Sequence, residues 1–292
     1  MSSGVHAAVG ERSMLFPAAA VFLLSAVALK VEVAPAAQVV LLALLAGAVG
    51  LPHGALDPLV AREAGLWRDR RGLVVFLLAY VALAAAALIL WIAAPGPCLL
   101  IFLLYSAFHF SGDWRHHPLW LRLPAGCFIV SAPAFWFPEA TRHYFSLLAG
   151  GTSAGWILEV MKMIAMPSGV GMIAALFHPR VTARLRIEWI LLVGAAVVCP
   201  PLLFFLLYFC TIHSPRHLVH AACGLPARQV LPTALLFTLL TLALALFAFS
   251  QVRTLPGHDA VIQIVFVGLA ILTVPHMLLV EYAHVPRARG VP

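Results

Sequence analysis

Long continuous runs of apolar residues, broken at intervals by short polar stretches, set the pattern of this chain. Leu73–Ala94 and Thr233–Ser250 are clear cases. A bilayer-crossing helix needs about 20 apolar residues, whereas a membrane strand reads as an alternating segment of about 10. The pattern therefore predicts an all-α polytopic integral membrane helix bundle. It places about ten spans, near 14–31, 36–52, 73–94, 97–114, 121–137, 152–177, 185–199, 201–221, 232–250 and 260–281. Residues 184–217 are too many for one crossing at about 1.5 Å per residue, so they are divided at Pro200-Pro201, where either a tight turn or a kink is expected. With no internal repeat or soluble domain visible, residues 1–292 are expected to form a single multi-span domain. It has a polar tail (1–13), a bundle (14–281) and a C-terminal tail (282–292). The first run, Met14–Leu29, is long for a signal peptide and reads as an uncleaved helix.

Composition closes off the alternatives. The chain is 63% hydrophobic and 10% charged, with mean hydropathy +1.02; a soluble domain carries about a quarter charged residues. The net charge of +7 does not suggest nucleic acid, because there is no basic patch or motif. The cations sit in loops instead. With the N-terminus inside, the inner segments hold Arg12; Arg62, Arg68, Arg70 and Arg71; Arg115 and Arg122; Arg180, Arg184 and Arg186; Arg216 and Arg228; Arg287 and Arg289. The outer segments hold Lys30, Arg142 and Arg253. This asymmetry follows the positive-inside rule and predicts a multi-pass protein of the inner (cytoplasmic) membrane with both termini cytoplasmic. The cysteines (98, 127, 199, 210, 223) show no paired spacing and read as apolar fillers.

Under this scheme the even-numbered spans all end at the cytoplasmic leaflet, and the second, fourth, eighth and tenth carry histidine motifs: Leu-Pro-His53-Gly-Ala-Leu-Asp57, Phe-His109-Phe-Ser-Gly-Asp113-Trp, Ile-His213-Ser-Pro-Arg-His217 and Pro-His276-Met-Leu-Leu-Val-Glu281. Ionisable groups at membrane depth are costly and point to function, and imidazole is the commonest metal ligand. His213 and His217 are spaced one helical turn apart, although Pro215 lies between them. In two motifs a carboxylate follows the histidine by four residues, His53–Asp57 and His109–Asp113; a carboxylate that accepts one ring N–H aims the other nitrogen at a metal. Glu281 is the carboxylate of the last motif. These acids could equally cap helices or pair with loop arginines, and Arg216 could hold Asp57 or Asp113. His116, His117, His143, His178, His258 and His284 fall in loops or ends and are expected to be interfacial; His220 is ambiguous. Lys162, inside a span, is expected to pair with Glu159. Imidazoles without thiolates suit iron, zinc or copper. The absence of His-Glu-x-x-His argues against a zinc hydrolase, and an imidazole-ligated Fe(II) with open positions suits O₂ chemistry.

The set HGALD, FHFSGDW, HSPRH and PHMLLVE resembles the Brp/Blh family of integral-membrane β-carotene dioxygenases, named for bacteriorhodopsin-related proteins, over roughly Leu51–Glu281. The resemblance implies cleavage of β-carotene at its central 15,15′ double bond into two retinals, with O₂ as co-substrate and a non-haem Fe²⁺. It implies His53, His109, His213 and His217 as metal ligands, with His276 as an additional or near-site ligand. His-Phe-Ser-Gly-Asp departs from the family's His-Phe-Gly but keeps its acidic position at Asp113, and a related polyene could fit a similar site. A hydrocarbon substrate would reach the enzyme from the bilayer through an apolar tunnel. Tyr105, Phe108, Phe110, Trp114, Tyr208, Phe209 and Met277 neighbour the motif histidines and are the candidate tunnel residues. Two other classes fit less well. A membrane metal or proton transporter would place such groups near the midplane on repeats. A haem-binding electron carrier would not need the surplus histidines and acids. A di-iron hydroxylase would need HxxHH clusters, which are missing.

Overall fold

The computed structural model describes residues 14–252 and 255–284, apart from the side chains of His53 and His284. Among the described residues every regular element is a helix. In chain order they are α1 (Leu15–Ala28), α2 (Pro35–Leu45), α3 (Leu51–Gly54), α4 (Asp57–Glu63), α5 (Arg70–Ala93), α6 (Pro95–Ser111), α7 (Leu119–Trp136), α8 (Pro138–Ala149), α9 (Gly151–Leu176), α10 (Ala183–Val198), α11 (Pro201–Tyr208), α12 (Ser214–Ala222), α13 (Ala227–Gln251) and α14 (Gly257–His284). Among the described residues, seven stretches are long and apolar enough to cross a bilayer: α5, α6 with its last turn, α7, α9, α11 joined to α12, α13 and α14. The other three expected spans correspond to the shorter helices α1, α2 and α10. Arg184, Arg186 and Glu188 keep the first turns of α10 polar. At Pro200-Pro201 the chain turns rather than kinks, because α10 ends at Val198 and α11 starts at Pro201.

Two helices stand outside the rest. α5 and α13 are apolar on every face, and only Trp91 of the two is buried within the protein. A helix hydrophobic all round needs apolar surroundings, which lipid supplies. The interior is built from α6, α7, α9, α10, α11 and α14. Gly126 of α7 lies against the end of α6; a Cβ there would meet the Ala107 carbonyl oxygen at 2.0 Å and the Ser111 nitrogen at 2.8 Å. That close approach fixes the segment carrying His109.

Helix α8 was not expected; residues 138–151 read as a loop. It is amphipathic: Thr141, Phe145 and Leu148 are buried at i, i+4 and i+7, while Glu139, Arg142 and His143 are exposed. Gly150, at φ +80°, makes the turn into α9.

Two π-helical turns interrupt the bundle, Ala46–Gly50 between α2 and α3 and Phe209–His213 between α11 and α12. Each lies just before or within a histidine motif. A π turn inserts one residue into a helix and leaves backbone groups to be satisfied otherwise, and such turns recur at functional sites. Here the two bulges satisfy each other. Ser214 Oγ donates to the Val49 carbonyl (2.5 Å), and Cys210 Sγ lies 3.7 Å from the Leu45 carbonyl. Gly50 makes room for the Phe209 ring, which would stand 2.8 Å from a Cβ at that position.

Candidate metal centre

Four motif histidines converge. His109 comes from the last turn of α6, His213 from the π turn after α11, His217 from α12 and His276 from α14, one residue past Pro275. The His109 ring centroid lies 5.0 Å from that of His213, 4.9 Å from His217 and 5.7 Å from His276. His213 and His217 are 4.4 Å apart, so the proline between them does not part their rings. His109, His213 and His276 are buried; His217 is partly open. One potential donor atom from each of His109, His217 and His276 lies within 4.8 Å of the others, and the same holds for Asp113, His213 and His217. His53 lies on α3, but its side chain falls outside the described residues.

The acids reach across motifs. Asp57 was expected beside His53; its carboxylate faces His276 Nδ1 at 2.9 and 3.0 Å. Asp113 was expected beside His109; it faces His213 Nδ1 at 3.3 and 3.4 Å and lies 3.8 Å from His217 Nε2. A carboxylate at Nδ1 selects the tautomer protonated there, which puts the lone pair on Nε2. Each acid is held in turn by a tyrosine: Tyr80 donates to Asp57 (2.7 Å) and Tyr208 to Asp113 (2.5 Å). Sequence reading missed Tyr80, although a tyrosine in so apolar a span as Leu73–Ala94 was the available signal.

The other ionisable groups are accounted for elsewhere. Arg216 does not reach a motif carboxylate; it pairs with Glu188 (2.7 Å), contacts the Asp113 carbonyl (3.4 Å) and lies over the Trp114 ring, whose Nε1 donates to the same Glu188 (2.9 Å). Glu281, expected near the histidines, gives its carboxylate to Arg115 (2.9 Å). Lys162 pairs with Glu159 at 2.8 Å, as the spacing predicts. His143 and His258 lie 3.6 and 3.3 Å from Asp259, on the exposed side of α8 and the start of α14.

An apolar cavity opens on the histidines. His109, His213 and His276 form part of its wall, and Phe102, Phe110, Phe145, Phe204, Phe205, Phe209 and Phe266 form much of the rest. Of the candidate tunnel residues, Phe110 and Phe209 line it. Trp114, Tyr208 and Met277 are fully buried on other faces, Phe108 is 37% exposed, and Tyr105 points outward only in part. Neighbours in sequence spread around a helix, so only a fraction can face one cavity. α8 contributes Thr141, Tyr144, Phe145 and Leu148 to the wall. Burial, and next the charge of Asp259, raise the Tyr144 hydroxyl above its ordinary pKa, so that stretch of wall is neutral. A more polar recess, lined by Asp57, Glu63, His217, His220, Cys223 and His276, reaches the cluster from another direction.

An all-helical protein with apolar spans, converging imidazoles backed by carboxylates and an adjoining hydrocarbon cavity belongs to the class of membrane-embedded histidine-centred proteins. The particular family is clear from comparison. The profile of the beta-carotene 15,15'-dioxygenase family matches residues 44–284, and the chain belongs to that family. It is 31% identical over 262 residues to the protein named beta-carotene 15,15'-dioxygenase from uncultured marine bacterium 66A03, covering 82% of this chain and 92% of that one. No solved structure matches it.

Proposed function

We propose that this protein cleaves β-carotene at the 15,15′ double bond with O₂. The C=C bond breaks, each carbon receives one oxygen atom, and two retinals form without another reductant. The observation that carries the reading is the placement of His109, His213 and His276 in the wall of an apolar cavity. A hydrocarbon can enter such a site from lipid without crossing water.

The donor set fits a resident metal: imidazoles with carboxylates behind them and no thiolate among them. We infer that His109, His217 and His276 hold a non-haem Fe²⁺, with His53 and His213 as the further imidazoles of the family pattern. Bound iron would supply the one-electron chemistry that lets O₂ react with a closed-shell polyene. The chain's own part is positional. Asp57 and Asp113 fix two rings through Nδ1, and Tyr80 and Tyr208 fix the acids. Phe110 and Phe209 flank the histidines and would confine the polyene, while the apolar wall excludes water from the reacting bond.

The reading includes a topology. It has ten membrane-crossing segments in one domain, residues 1–292, with both termini facing the cytoplasm and the histidine cluster toward the cytoplasmic leaflet of the inner membrane. Arg115 and Arg216 beside the cluster support this. Expression in cells that make β-carotene tests the function: the cells should bleach and accumulate retinal. Unchanged carotene alongside full-length membrane-inserted protein would overturn it.

A further inference from the structure

A second cavity adjoins the first. The two share one wall, Leu269, Thr273 and His276, a stripe at i, i+4 and i+7 on α14. Beyond that wall they have different neighbours. The first runs along one face of α6, from Leu99 through Phe102, Leu103 and Ser106 to His109, about 15 Å of helix at roughly 1.5 Å per residue. The second lies under the outer helices and is lined by Phe76, Leu77 and Tyr80 of α5, by Phe237 and Thr241 of α13, and by the α3–α4 segment including Asp57, whose carboxylate is tied to Tyr80 and His276.

Resting on the polyene-cleavage reading above, the geometry points to a two-armed channel: the second cavity admits a linear conjugated hydrocarbon from the bilayer between α5 and α13, and the first receives its leading half, so that the middle of the chain comes to rest beside His276. Three observations carry this. α5 and α13 both contribute half-buried side chains to the second cavity. They make little contact with each other and pack instead on α14. Both face lipid nearly all round, so parting them exposes no surface to water. A hydrocarbon offers no polar handle by which a site could choose one double bond over another. The choice must come from how far the chain threads, and the depth of the arm beyond His276 sets that limit. Its polar groups are partnered: Thr241 returns its hydroxyl to the Phe237 carbonyl (2.8 Å) and Tyr80 donates to Asp57 (2.7 Å).

The test uses the metal-loaded, full-length protein in lipid vesicles containing β-carotene, with products separated by chromatography and iron measured by mass spectrometry. Thr241→Trp fills the passage. With the cross-section blocked, kcat/KM should fall about tenfold or more, with retinal still the product and iron content unchanged. Leu244→Trp, on the lipid-facing side of α13, should leave turnover at the wild-type rate. To guard against misfolding of the tryptophan variant, Thr241→Cys is purified active and then treated with a bulky thiol reagent; its turnover should drop while equally treated wild type keeps its own. Wild-type rates in both Thr241→Trp and the modified Thr241→Cys, with iron intact, would overturn the passage while leaving the function standing. Wild-type protein that makes no retinal would instead remove the reading on which the passage rests.

Discussion

Asp57 and His276 lie 219 residues apart in the chain and 2.9 Å apart in the structure. The same crossing recurs between Asp113 and His213, 100 residues apart. In each case the acid belongs to one motif and the imidazole to another. The motifs are therefore tied in two pairs, first to fourth and second to third, and the loss of Asp57 or Asp113 should be felt by a histidine on a different helix.

The Asp57→Asn variant should keep its fold and lose iron affinity by about 10–100-fold, the usual cost of removing a carboxylate behind a metal-bound imidazole. Asp113→Asn should behave alike. Tyr80→Phe, one step further out, should lose less. Competition with a coloured chelator reads these affinities. Wild-type iron affinity in Asp57→Asn would show the crossed arrangement to be without consequence.

Purified protein should carry about one iron per chain when no chelator is added, and its thermal midpoint in detergent should fall after chelation, because a ligand bound only by the folded state stabilises it. His109→Ala, His217→Ala and His276→Ala should each lack iron and retinal formation. His143→Ala, on the exposed face of α8, should keep both. Retention of full iron in His276→Ala would restrict the ligand set to the other motifs.

Much of this was legible in the sequence, and for a physical reason. Apolar runs and loop arginines report the bilayer directly, so the helical class, the break at Pro200-Pro201 and the gathering of His109, His213, His217 and His276 at matching helix ends could all be anticipated. What a one-dimensional spacing cannot report is which helix lies next to which. Asp57 follows His53 by four residues, yet its carboxylate faces α14. Arg216 sits inside a histidine motif, yet it turns to Glu188. α8 was missed because its buried stripe is short and its exposed face charged, a pattern that resembles a loop in so apolar a chain. The π turns left no mark that hydrophobic periodicity could catch.

Gly50 and Gly126 should tolerate no side chain. Gly126→Ala would drive a methyl group into the backbone of α6, and Gly50→Ala would press on Phe209 between the two π turns. Overpacking of this kind costs about 1–3 kcal/mol. The thermal midpoint in detergent should fall for both, whereas Gly155→Ala, with open space around it, should melt like wild type. Because Phe209 also lines the cavity, Gly50→Ala should in addition slow turnover at temperatures where it remains folded.

Glu188 and Arg216 form a largely buried ion pair at 2.7 Å, with side chains 9% and 15% exposed, and Trp114 closes the group by hydrogen bonding to the same carboxylate. Removing one partner of such a pair leaves a desolvated charge and costs about 3–5 kcal/mol, whereas replacing both with apolar groups of similar volume is often close to neutral. Arg216→Met should therefore be strongly destabilised, and Glu188→Gln with Arg216→Met should recover most of the loss. Arg216 also contacts the Asp113 carbonyl, one step from His213. If that contact matters to the site, the double variant should be stable yet hold iron less tightly than wild type. Stability that recovers together with full iron affinity would assign the pair to the fold alone.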